Sequence, residues 1–167
     1  MATITLQGNE IHTSGDLPNV GAHAPECTLT DAELNDIPLS QWHGRKKLMN
    51  IFPSIDTGVC AMSTRKFNEH AQEHQDTVML MISADLPFAQ KRFCGDEGLE
   101  NVITLSTMRS PEFARDYGVL ITDGPLAGLT ARAVLVLDEN DTVVHSELVP
   151  EIAQEPDYEA ALKVLGS

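Results

Sequence analysis

The chain has 167 residues, of which 42% are apolar and 22% charged, the proportions of an ordinary folded protein rather than a disordered one. Its 25 aspartates and glutamates outnumber 11 lysines and arginines, and the net charge of −14 excludes nucleic acid as a partner. The length predicts a single domain over residues 1–167.

Turn and breaker residues divide the first half of the chain. Gly8 and Asn9 are a turn pair that commonly joins two short strands, and Pro53 stops an apolar run as at the end of a buried strand. After a loop at 53–57, inward-facing residues recur at intervals of three and four, which indicates a helix. The predicted elements are strands at 3–6 and 10–13, a connecting region over 21–40 with a short strand at 27–29 and a turn at 35–36, a strand at 47–52, and a helix over 59–74 with Cys60 in its first turn.

Strands and helices alternate in the second half. Pro87 suits the first turn of a helix that Gly95 ends just after Cys94. The predicted elements are a strand at 77–84, a helix from 87 to 95, a strand at 102–106, a helix from 110 to 118, strands at 131–137 and 142–149 joined by a turn at 138–141, and a helix from 156 to 165. This α/β order favours a central mixed sheet flanked by helices, and it resembles the thioredoxin-like fold with an added N-terminal β-hairpin. Fold order alone supports many functions.

The sequence carries no sign of export or membrane insertion. Residues 1–15 lack the basic start, apolar stretch and cleavage site of a secretory signal, and no apolar run approaches the roughly 20 residues of a membrane helix. We therefore expect a cytoplasmic protein that makes no membrane contact. Three cysteines are too few for the disulfide framework of a small secreted protein, so any disulfide is expected to serve catalysis or regulation.

Cys60 lies where a thiol is easily activated. A cysteine is nucleophilic as the thiolate, and the free N–H groups and dipole of a helix start favour that anion. A reaction at this thiolate also needs hydrogen bonds to the leaving group. Thr57 lies about one turn before Cys60 and can direct its hydroxyl to the same pocket, while Pro53 can shield the thiolate from water. The plainer alternatives are a small core residue for Cys60 and a helix cap for Thr57.

The segment PSIDTGVC, which ends in Cys60, resembles the P-x-x-x-T-x-x-C active-site signature of the peroxiredoxin family. The strings NIFPSIDTGVC, ISADLPFAQKRFC and ARAVLVLDEND are similar to the bacterial thiol peroxidase branch, an atypical two-cysteine group, and the likeness covers nearly the whole chain. The resemblance implies that Cys60 is the peroxidatic cysteine and that Thr57 binds the peroxide. It further implies that Arg132 stabilises the thiolate and the transition state, and that Pro53 shields them. Without the family, Arg132 is as readily interpreted as a strand-edge charge.

An oxidised Cys60 must condense with a second thiol before further oxidation makes it inert. Cys94 is the candidate, because it lies at a helix end beside glycines in a segment that we expect to be mobile. The alternative is a buried helix residue. The resemblance assigns Cys94 as an intrachain resolving cysteine that forms a disulfide with Cys60. It also implies thioredoxin as the reductant, alkyl hydroperoxides and hydrogen peroxide as substrates, a homodimer, and no cofactor.

Other candidate residues are interpreted as structural. Cys27 has no motif around it. His70 and His74 have a spacing that can bind zinc, but they lack H-E-x-x-H and a further ligand set, so we expect no metal. The basic run 45–47 is predicted to be solvated, at the edge of a strand.

Two other functions are alternatives to a peroxidase. A general disulfide oxidoreductase uses C-x-x-C at the helix start, whereas Ser63 stands three residues after Cys60 and no proline directly precedes the strand at 131. A redox sensor that passes its oxidation to a partner protein could use the same pair of cysteines, and the sequence leaves that alternative open.

Overall fold

The computed structural model describes residues 1–165, in which nine strands and four α-helices are formed. The strands are β1 (Thr3–Leu6), β2 (Asn9–His12), β3 (Thr28–Thr30), β4 (Asp36–Pro38), β5 (Lys46–Ile51), β6 (Thr77–Ser83), β7 (Ile103–Ser106), β8 (Ala133–Leu137) and β9 (Val143–Leu148). The helices are α1 (Gly58–Ala71), α2 (Pro87–Glu97), α3 (Glu112–Asp116) and α4 (Tyr158–Lys163), and a short 3-10 helix spans Leu39–Trp42.

Seven strands form one mixed sheet in the order β4-β3-β7-β6-β5-β8-β9, and β1 and β2 form a separate antiparallel hairpin. The central strands β5, β6 and β7 are parallel to one another, and their neighbours on both sides are antiparallel. The predicted α/β fold, a thioredoxin-like mixed sheet with helices and an N-terminal hairpin, is confirmed.

The sheet separates two apolar cores. On one face, buried side chains of α1 and α4 pack against alternate residues of the strands, with α2 beside them. The hairpin and α3 pack on the other face. In β8, for example, Val134 and Val136 belong to the first core, whereas Ala133, Leu135 and Leu137 belong to the second. This alternation, which follows from the two-residue period of a strand, decides which side chains can reach Cys60.

Some predicted boundaries were wrong at turns. The first hairpin turns at Gln7 and Gly8, both with positive φ, and Asn9 already pairs with Leu6. Helix α2 continues past Gly95 to Glu97 and ends at Gly98, whose φ of 67° is the left-handed value that glycine adopts without strain. The turn predicted at 35–36 lies slightly earlier, which leaves Asp36 to begin β4.

The predicted solvated position of the basic run is wrong for Lys47. Its side chain is completely buried, and its Nζ is paired with the carboxylate of Asp141. The strand register accounts for this pair. Lys47 lies opposite Leu137, so the turn that follows β8 brings Asp141 to the start of β5. A buried cation is tolerated there because an anion neutralises it.

Candidate functional site

Cys60 is the third residue of α1, directly after the loop that leaves the end of β5. The first α-helical hydrogen bond of α1 runs from the N–H of Ala61 to the carbonyl of Thr57, at 3.0 Å. The N–H groups of residues 58–60 therefore precede the helical ladder and present partial positive charge around the thiol. Cys60 itself is completely buried in the core between α1 and the sheet.

Thr57 occupies the N-cap position of α1, but its hydroxyl does not cap the helix. The Thr57 hydroxyl instead donates to the carbonyl of Ser54 at 3.0 Å, and the residue is exposed. Because its proton is used in this bond, its oxygen keeps lone pairs that can accept a hydrogen bond from a bound molecule. Pro53, four residues earlier, is buried behind the loop.

Arg132 lies just before β8 and is only 1% exposed. Ala133 pairs with Ile51, so Arg132 lies beside the end of β5 from which the Cys60 loop departs. Alternation places Arg132 on the same sheet face as Val134, which shares a core with Cys60. This burial excludes the alternative interpretation of Arg132 as a solvated strand-edge charge.

The guanidinium of Arg132 is only partly satisfied. Its Nε donates to the carbonyl of Ile152 at 2.9 Å, but its buried Nη1 has no hydrogen-bond partner in the part of the chain that the structure describes. Within residues 1–165, no carboxylate lies at ion-pair distance from it. A buried cation with an unused donor is costly unless an anion binds beside it.

Asp85 holds the Cys60 loop, a role that the sequence analysis missed. Its carboxylate accepts hydrogen bonds from the hydroxyl of Ser54 (2.7 Å) and the N–H of Ile55 (2.6 Å). It also accepts a bond from the hydroxyl of Ser83, at 2.6 Å. The sequence could have indicated this contact. Because β5 and β6 are parallel, the residues that follow the two strands meet at one edge of the sheet.

A second group of polar side chains lies behind the first turn of α1. The carbonyl of Cys60 accepts hydrogen bonds from the hydroxyls of Ser63 and Thr64, both at 3.0 Å. Asn50, a buried residue of β5, donates to the Ser63 hydroxyl at 3.1 Å. The backbone of Cys60 is thereby tied to the sheet through Ser63, the position at which an oxidoreductase would carry its second cysteine.

Cys94 lies in the last two turns of α2, half-buried against the same apolar core that encloses Cys60. Both thiols are free in this structure. Burial raises the pKa of the Cys94 thiol above its ordinary value. Cys94 also lines a cleft of about 420 Å³ whose other walls include Lys91 and the turn between β3 and β4.

The remaining candidates lie apart from Cys60. Cys27 packs on the opposite face of the sheet, with its Sγ 3.9 Å from the hydroxyl of Tyr117, and burial raises its pKa to about 11. His70 and His74 line a cleft between α1 and α4. Among residues 1–165, no three His, Cys, Asp or Glu side chains form a group that could hold a metal ion. In that same part of the chain, every helix is too short or too polar to cross a membrane.

Comparisons with known proteins agree with this architecture. Residues 19–162 match the family model described as Redoxin. The chain is 57% identical to the Thiol peroxidase of Mycobacterium tuberculosis over all 167 residues, which is the full length of both proteins. The peroxiredoxin-like protein from Aquifex aeolicus superposes with a TM-score of 0.93 at 36% identity, covering 99% of this chain and 96% of that one. The thiol peroxidase from Chromobacterium violaceum gives 0.90 at 27% identity, covering 98% and 94%.

Proposed function

The chain belongs to the redoxin family and is a thiol-dependent peroxidase, and from that premise we propose that Cys60 attacks the peroxide and Cys94 then closes a disulfide with it. One observation supports this assignment above the others. The buried thiol at the start of α1 shares a sheet face with the buried guanidinium of Arg132, whose Nη1 has no partner among the described residues. Such a place suits a thiolate and the oxygens of a peroxide.

In the first step, the Cys60 thiolate attacks one oxygen of a hydroperoxide. A sulfur–oxygen bond forms, the O–O bond breaks, and its electron pair leaves on the second oxygen, which takes up a proton to become an alcohol or water. Arg132 and the N–H groups at the start of α1 stabilise the charge that develops on these oxygens. Thr57 accepts a hydrogen bond from the peroxide O–H, since its own proton is directed to Ser54. Pro53 shields the reacting atoms from water.

In the second step, the thiolate of Cys94 attacks the sulfenic sulfur of Cys60. A disulfide forms, the sulfur–oxygen bond breaks, and the oxygen leaves as water after protonation. The two residues lie against one apolar core, which keeps Cys94 near its target. Forming the bond requires Cβ atoms within about 4.5 Å of each other.

An external dithiol then reduces the disulfide by two exchange reactions, and we assign that role to thioredoxin. The substrates proposed are alkyl hydroperoxides and hydrogen peroxide. The cycle needs no cofactor, because the sulfur atoms carry the electrons. We also assign the protein as a homodimer in the cytoplasm, where such a reductant keeps thiols reduced.

Serine variants of the three cysteines test these roles. Cys60→Ser is expected to lose thioredoxin-dependent turnover of cumene hydroperoxide completely. Cys94→Ser should still consume one equivalent of peroxide per chain but fail to recycle with thioredoxin. Cys27→Ser is the matched control, because its thiol lies on the other face of the sheet, and it should turn over normally. Retained turnover in Cys60→Ser, or normal recycling in Cys94→Ser, would refute the corresponding assignment.

A further inference from the structure

The loop that delivers Cys60 to its pocket, residues 53–57, is held most closely by the carboxylate of Asp85, while a longer, exposed contact joins Arg92 of α2 to Asp56 at 3.4 Å. One carboxylate oxygen accepts from the Ser54 hydroxyl, and the other accepts from both the Ile55 N–H and the Ser83 hydroxyl. All three distances lie between 2.6 and 2.7 Å, within the range of short bonds to a charged acceptor. Two of the three donors belong to the Cys60 loop, and the third belongs to β6.

Asp85 is itself rigidly held. Its backbone carbonyl accepts a hydrogen bond from the hydroxyl of Ser106 at 2.6 Å, which fixes it to the end of β7. Gln90, a buried residue of α2, donates to the Ser83 hydroxyl at 3.1 Å and to the carbonyl of Leu105 at 3.0 Å. The ends of the central strands therefore form a fixed base from which this carboxylate reaches the loop.

Hydrogen bonds within the loop couple the position of Asp85 to that of the reacting groups. Ser54, which Asp85 binds, accepts bonds at its carbonyl from both the hydroxyl and the N–H of Thr57 (3.0 and 3.1 Å). The carbonyl of Thr57 in turn accepts the first helical bond of α1. A shift of Asp85 would thus move Thr57 and the first turn that carries Cys60. Asp85 also directly precedes the entry to α2, the helix that carries Cys94.

We propose that Asp85 is a positioning residue of the peroxidase reaction, which holds residues 53–57 in the conformation in which Cys60 meets the peroxide. The inference rests on the proposed roles of Cys60 and Cys94. Cys60 is completely buried in its pocket, and we expect it to leave that pocket to bond with the half-buried Cys94 of another helix. The contacts of Asp85 should therefore favour oxidation of Cys60 and oppose formation of the disulfide. Loss of the carboxylate is predicted to slow the first step without slowing the second.

Two substitutions of Asp85 remove these contacts to different extents. Asp85→Ala removes all three hydrogen bonds. Asp85→Asn keeps one acceptor oxygen but turns an amide NH₂ toward a donor, so it should be intermediate. The matched control is Asp138→Asn, since the Asp138 carboxylate also accepts two backbone N–H bonds, from Asn140 and Thr142, but in a turn at the opposite end of the sheet.

Single-turnover reactions quenched at timed intervals and analysed by mass spectrometry separate the two steps. With cumene hydroperoxide, the rate constant for Cys60 oxidation in Asp85→Ala should fall at least about tenfold, the scale that small misplacements of reacting groups produce. The rate constant for disulfide formation should stay at the wild-type value or rise. The Asp138→Asn control should match the wild type in both steps. If Asp85→Ala does not fold, Ser54→Ala removes one of the three bonds and should show a smaller loss in the same step.

The outcomes are distinguishable. Oxidation of Cys60 within twofold of the wild type in a folded Asp85 variant would overturn the positioning role alone. Equal slowing of both steps would also overturn it, because that pattern indicates a general loss of structure. If Cys60 of the wild-type protein does not react, the proposed function fails first and this inference falls with it.

Discussion

Two basic side chains are buried at opposite ends of the same pair of strands, and their surroundings differ. Lys47, near the start of β5, is completely buried and paired with Asp141. Arg132, beside the end of β5, is almost as deeply buried, but within residues 1–165 its side chain donates a hydrogen bond only to the carbonyl of Ile152 and its Nη1 has no partner. The antiparallel register of β5 and β8 places the two side chains at opposite ends of the strand pair, since Lys47 lies opposite Leu137 and Ile51 lies opposite Ala133.

Lys47 is a structural charge by these contacts, whereas we propose a functional role for Arg132. A buried ion pair is complete in itself, and its removal from water is offset by the partner. A buried cation without an anion is a cost to the fold, and such costs are typical of binding and catalytic sites. The thiol of Cys60 lies at the end of the sheet where the charge is unmatched. This difference is the reason why we propose the reaction at that end of the sheet.

The largest effect is expected from Arg132→Met. The variant removes a preorganised donor to the reacting oxygens, so the rate constant for Cys60 oxidation should fall by about 10²–10³. The free energy of unfolding should drop by no more than about 1 kcal/mol, because the Ile152 carbonyl loses one hydrogen bond while an unpaired buried charge disappears. Stopped-flow oxidation and urea unfolding measure the two quantities. A wild-type oxidation rate would remove Arg132 from the site.

Lys47→Met is expected to lower stability and not the oxidation rate, because it leaves the Asp141 carboxylate buried without its cation. The free energy of unfolding should fall by about 3 kcal/mol, while Cys60 oxidation per folded molecule should be unchanged. The double variant Lys47→Met with Asp141→Asn should recover part of the lost stability, since no charge then remains unpaired. If Lys47→Met were as stable as the wild type, the pair would not be structural and the comparison would fail.

The smallest effect concerns Cys94 and pH. Burial holds its pKa above the ordinary value, so only a minor fraction is thiolate near neutrality. That fraction, and with it the rate constant for disulfide formation, should rise with pH by up to about tenfold per unit while the pH is below the pKa. Single turnovers started with excess peroxide between pH 6 and 8 measure this dependence. A pH-independent rate would mean that Cys94 deprotonation does not limit the step.

Much of the fold could be predicted because local signals agreed with it. Apolar runs stopped by proline, and the alternation of strands with helices, predicted the mixed sheet and the position of Cys60 at the start of α1. Boundaries failed where tertiary contacts override local preference. Gly95 was predicted to end α2, but the helix continues through it and ends at Gly98, which has the left-handed backbone conformation. Lys47 is buried because a turn nearly a hundred residues later supplies its anion, which no local pattern shows.

The site was predicted in part. The Pro53-to-Cys60 signature is contiguous, so the sequence alone named Cys60, Thr57 and Pro53, and the resemblance added Arg132 and Cys94. Their roles stay predictions. Asp85 was missed because its partners lie 30 and 31 residues away, across two parallel strands, and only the sheet brings them together.

The central claim is that peroxide reacts at Cys60 and that Cys94 captures the product. The most direct test mixes the reduced protein with one equivalent of cumene hydroperoxide and maps disulfides by mass spectrometry after digestion. We predict a bond between Cys60 and Cys94 within one chain, with Cys27 still free. Unmodified Cys60, or a disulfide that includes Cys27, would contradict the account.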